Sequence, residues 1–154
     1  MTERVMGRRR WMGLLLKGAA GLGVLGGAGL GGLMGLRGCA PAVEGLRVLS
    51  NHQYRTMSAV ARAQIPRGGA FAEGAEDFDL ARAFDGFLAD EPEEIQADVG
   101  LALHLLEMGP VLFDGRTSTL SNLSPTEQAE HWESWGAADD PTRRQVSTAL
   151  RKFQ

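Results

Sequence analysis

Apolar positions recur at helical spacing along most of the chain, and no stretch alternates convincingly as a half-buried strand would. Leu49, Gln53, Met57, Val60, Ala61 and Gln64 share one stripe, and Ser50 is placed to cap the start of that helix. The helix is predicted to stop at Ile65-Pro66, because a residue ahead of proline is pushed out of helical backbone. Arg67-Gly68-Gly69 then reads as a turn. A second helix is expected from about Asp77 to Ala89, with Phe78, Ala81, Phe84 and Leu88 on its apolar face and Phe87 widening it. Its early acids suit the positive end of a helix. A third opens near Asp90-Glu91-Pro92, where proline is tolerated in the first turn, and carries Ile95, Val99, Ala102, Leu103 and Leu106. It is expected to end near Gly109-Pro110, leaving residues 110–122 as a loop with a turn at Phe113-Asp114-Gly115. Leu123-Ser124-Pro125-Thr126-Glu127 announces another helix: Ser124 caps, Pro125 stands first and Glu127 closes a capping box. Trp132 and Trp135 follow on it. A last helix starts at Asp139-Asp140-Pro141, carries Val146, Leu150 and Phe153, and is still running at Gln154. The expected fold is all-α, a small helical bundle.

Ahead of the bundle the pattern changes. Arg8-Arg9-Arg10-Trp11-Met12 leads into an uncharged, glycine-diluted apolar run from Gly18 to Leu36. Arg8 and Arg9, one variable residue, then bulky Trp11 and Met12 form a twin-arginine export signal, the route that carries folded cargo. Each glycine costs roughly 1 kcal/mol of helix propensity, so the run suits a removable signal better than a permanent span. The competing reading is an uncleaved anchor, since about 20 apolar residues cross a bilayer. Two cuts compete at its end. Leu36-Arg37-Gly38-Cys39 has the form of a lipobox, which would make Cys39 a lipid acceptor, although Arg37 is unusual there. Ala40-Pro41-Ala42 offers an ordinary signal-peptidase site that would discard Cys39. Residues 1–39 are thus read as signal, 40–45 as linker and 46–154 as the helical domain. Cys39 is the only cysteine, so the domain has no internal disulfide.

Removing the signal changes the charge. It takes six bases and one acid, leaving 10 Lys/Arg against 18 Asp/Glu, a net charge of −8. Nucleic-acid binding is disfavoured, because phosphates need a basic face. Eleven acids lie between Glu73 and Glu107 with only Arg82 among them, as a solvated face or as a surface for a partner.

Candidate chemistry is sparse. His52, His104 and His131 are far apart and have no ligand spacing, no Cys-x-x-Cys-His motif is present, and Gly21-Leu22-Gly23 lies inside the export signal rather than after a strand. Glu93-Glu94 sits at an exposed helix start, where nothing would separate the two pKa values. The chain reads as non-enzymatic, with no catalytic, metal or cofactor residue of its own. Trp132 and Trp135, three apart on one face, fit ordinary core; the alternative makes them the candidate partner-interface residues, as anchors of the kind in which tryptophan is over-represented.

Taken in order, these features resemble the gluconate 2-dehydrogenase subunit 3 family over about residues 46–154. They are Leu49-Ser50 opening a helix that closes at Ile65-Pro66, a leucine-rich helix from Leu101 to Leu106 and a loop near Phe113. The Leu123-Ser124-Pro125 opening, Trp132 and a basic Arg143-Arg144 helix follow. The resemblance implies a non-catalytic small subunit that binds and matures a flavin-dependent sugar or alcohol dehydrogenase of the glucose–methanol–choline type. It would carry that partner through the twin-arginine translocase to the periplasm and help hold it at the membrane. FAD would reside in the large subunit, and a cytochrome c subunit often completes such complexes. Family members often continue past the equivalent of Gln154, which implies a docking segment there, and cysteine lipidation is not general among them. The alternative is a stand-alone helical envelope lipoprotein acting as scaffold or binding module.

Overall fold

A computed structural model describes residues 39–70 and 72–152. They form five α-helices and two short 3-10 turns, with no strand. The helices are α1 (Asn51–Gln64), α2 (Leu80–Leu88), α3 (Glu93–Phe113), α4 (Pro125–Gly136) and α5 (Pro141–Arg151). The described part is all-α. Helix α1 is the hub: α2, α3 and α4 all pack on it, and α5 packs on α4.

Local chemistry sets most boundaries. Ser50 caps α1 through a full capping box, accepting from Gln53 N–H while the Gln53 side chain accepts from Ser50 N–H. Gln53 therefore belongs to the cap rather than to an apolar stripe. Ile65 ends the helix, as its proline neighbour dictates. Ser124 and Glu127 build the same box on α4, and the Asp140 side chain accepts from Arg143 N–H to cap α5.

Three expectations are corrected. The second helix does not start at Asp77. A 3-10 turn over Ala75–Phe78 ends at Asp79, held left-handed at φ 44°, and the α-helix begins only at Leu80. The Asp79 carboxylate repays this strain by capping Arg82 N–H and accepting from Tyr54 Oη at 2.7 Å. That break swings Phe78 outward to 64% exposure, while Ala81, Phe84 and Leu88 stay buried. The third helix runs through Gly109-Pro110 to Phe113. Proline removes one backbone donor, and glycine, lacking Cβ, relieves the clash that normally bars a helical residue before proline. Residues 110–122 are accordingly helix as far as Phe113, then a loop containing the 3-10 turn Leu120–Asn122, whose Leu120 is buried.

The core gathers Met57 and Val60 of α1, Phe84 and Leu88 of α2, Leu103 and Leu106 of α3, Trp132 and Trp135 of α4, and Val146 and Leu150 of α5. The segment leading into α1 is clamped to it by a buried acid. Asp85 accepts from the backbone N–H groups of Arg47, Val48 and Leu49 at 2.7–3.0 Å. Burial pushes this carboxyl up, but the three backbone donors and Arg47 outweigh it and hold it below the ordinary 3.8.

Candidate functional site

Buried polar groups concentrate where the C-terminal half of α3 meets α4 and the 3-10 turn before it. Asp114, the C-cap of α3, stands 2.7 Å from His131 Nδ1. His131 Nε2 in turn accepts from Trp135 Nε1 at 2.8 Å. An indole N–H only donates, so Nε2 must be the acceptor and Nδ1 carries the proton toward the Asp114 carboxylate. The ring is neutral by geometry. The His131 side chain has no solvent exposure. Burial lowers its pKa below the ordinary value and Arg116 and Arg143 add to this, against the raising influence of Asp114.

An Asp–His pair of this kind resembles two-thirds of a nucleophilic triad. Here the nitrogen that would take a substrate proton is already engaged by Trp135, on the same helix. The arrangement orients one helix on another; it does not present a base to a ligand.

Two turns earlier on α3, buried Glu107 ties three elements together. Its carboxylate accepts from Ser121 N–H at 3.1 Å, from Ser121 Oγ at 2.7 Å and from Thr56 Oγ1 at 2.9 Å. The Thr56 hydroxyl also lies 3.0 Å from the His52 carbonyl. The one hydroxyl proton can be shared between the carbonyl and the carboxylate as a three-centre bond. Between these nodes sits Gly109. A Cβ there would lie 2.6 Å from His131 Nε2 and 2.8 Å from Trp135 Cζ2, so only glycine allows this approach.

The residues singled out from sequence distribute unevenly. Arg8, Arg9, Trp11 and Met12 lie outside the described residues, as does Phe153. Cys39 is the first described residue and is exposed. Trp132 and Trp135 are 1% and 0% exposed. Both are core, and neither offers a face to a partner in this conformation. Arg151 covers the Trp132 ring at 5.4 Å, and Phe113 meets Trp135 edge-on at 6.0 Å. The sequence places Asp114 only within a turn; its pairing with His131, 17 residues on, follows from α3 extending to Phe113.

The acids from Glu73 to Glu107 are not one uniform face. Asp85 and Glu107 are buried and hydrogen-bonded, and Arg82 pairs with Asp79. Arginines from outside the run also reach in, with Arg62 on Glu76, Arg67 on Asp77 and Arg47 on Asp90. Among the described residues no group of three or more His, Cys, Asp or Glu is placed to hold a metal ion, and no helix is long and apolar enough to cross a membrane. Compared with known protein families, characterised proteins and solved structures, the chain matches none.

Proposed function

We propose that this chain is a non-catalytic accessory subunit that binds and matures a flavin-dependent dehydrogenase of the glucose–methanol–choline type. It carries that enzyme through the twin-arginine translocase to the periplasmic face of the membrane, where a cytochrome c subunit completes the complex. The carrying observation is a mismatch. A signal suited to folded cargo, with Arg8-Arg9-Arg10 ahead of a glycine-rich run, fronts a domain whose buried polar groups are spent on holding its own helices together. His131, Glu107 and Asp85 each have their hydrogen-bonding capacity engaged within the chain, which supports a role realised through a partner. FAD belongs to that partner. In this reading Cys39, which is exposed, carries a lipid that helps hold the complex at the membrane.

Affinity purification of the tagged chain from its native cells tests this reading. A stoichiometric yellow partner with flavin absorbance is the expected result. A colourless monomer would favour the stand-alone envelope lipoprotein instead.

A further inference from the structure

We propose that Arg143, seated on the ring of Phe113, is a docking point for a side-chain carboxylate of the partner subunit. This deepens the accessory-subunit reading and rests on it. Arg143 stands in the first turn of α5, and its guanidinium carbon lies 4.9 Å from the centroid of the Phe113 ring. Phe113 is the last residue of α3 and is 46% exposed. Its ring meets the buried Trp135 edge-on at 6.0 Å. The cation therefore rests on an aromatic face that the core itself braces, which limits the side-chain freedom still to be lost on binding. Arginine and aromatic side chains are the types that most often anchor protein interfaces.

What Arg143 lacks selects the occupant. Every other arginine among the described residues engages an oxygen through its guanidinium. Six pair with acids, Arg55 donates to Asn122 Oδ1, and Arg144 donates to the carbonyls of Ala138 and Asp139. Among the same residues the Arg143 guanidinium has no ion pair and no acceptor, and its Nε is buried in that state, which is exceptional in a folded chain. Acids are not scarce, since the helical domain holds 18 against 10 bases. The adjacent ones are committed elsewhere: Asp114 bonds His131, and Asp140 caps the backbone N–H of Arg143 itself. The planar fork of a guanidinium matches a carboxylate end-on, with two parallel bonds. A half-exposed ring beneath it suits the apolar stem of an aspartate or glutamate better than a free, fully hydrated anion. The net charge of −8 opposes an anionic lipid surface and repels a second copy of this chain. One acid of a different protein fits.

Photo-crosslinking in native cells tests this on the full chain, with a light-activated amino acid placed at Leu112, which is half exposed and precedes Phe113. Light should join the chain to the flavoprotein, and mass spectrometry should map the join to a segment carrying an aspartate or glutamate. Arg143→Glu should weaken co-purification of that protein at least about tenfold, and changing the mapped acid to lysine should restore it. Arg143→Gln should weaken it as well, with circular dichroism unchanged, because no acceptor within the described residues loses its donor. Undiminished co-purification with Arg143→Glu overturns the docking point. So does a join with no acid near it, a charge exchange that restores nothing, or joins formed only between two copies or only to phosphatidylglycerol. The two levels fail separately. If the Arg143 variants retain a flavoprotein in full, the docking point is wrong and the accessory reading stands. If the joined protein carries no flavin yet the charge exchange restores its binding, the partner's identity falls and the docking point stands.

Discussion

Trp135 donates its indole proton to His131 Nε2, and that one bond fixes both the tautomer and the charge of a fully buried imidazole. Replacing Trp135 by Phe strands Nε2 without a donor and opens space beside it, so unfolding free energy should fall by about 2–4 kcal/mol, read by urea denaturation. The same geometry makes stability depend on pH. The His131 pKa is depressed below 6.5, chiefly by burial, so the unfolded chain takes up the proton first as pH falls. Its stabilising contribution is whole above that value and is lost progressively below it. Between about pH 7.5 and about pH 5.5 the wild type should lose more stability than His131→Gln, which does not titrate there. Parallel pH profiles would assign the dependence to other groups. Asp85 has a depressed pKa of the opposite charge type, and its contribution is lost only as pH falls below 3.8.

At the scale of the element, Gly109 shows most clearly how packing overrides a local signal. Alanine is the better helix former by roughly 1 kcal/mol, so a propensity argument would have Gly109→Ala stabilise α3. The added methyl would instead meet two buried rings, at 2.6 and 2.8 Å, that have no room to retreat. We expect a net loss of about 1–3 kcal/mol, measured as a lowered midpoint of thermal unfolding; a raised midpoint would contradict the packing. The sequence made legible what depends on neighbours in the chain: the Ser50 and Ser124 caps, the stop at Ile65-Pro66 and the inward stripe of α3. It misled where distant contacts decide. Gly109-Pro110 reads as a terminator until Asp114 reaches His131 and Phe113 reaches Trp135 across the fold, contacts that carry the helix onward. Phe78 reads as core until Asp79 turns left-handed and ejects it. Spacing alone favours core for Trp132 and Trp135 but leaves an interface open, because it reports a shared face and not what that face meets.

For the whole molecule, charge and topology divide the labour. Six of the 16 basic residues lie in the first 39 positions, and the helical domain is left strongly acidic. Three backbone donors on Asp85 clamp the segment entering α1 to α2. The interior closes on itself, and among the described residues Phe78, Phe87, Leu101, Leu112 and Phe113 are the large apolar side chains left exposed. On this account the signal serves another protein. The most direct measurement is the distribution of flavin-dependent dehydrogenase activity between periplasm and cytoplasm in cells whose own copy of the chain carries Arg8→Lys with Arg9→Lys. The account predicts that activity disappears from the periplasm and is stranded, active or not, as flavoprotein in the cytoplasm. Periplasmic activity unchanged from wild type would contradict it.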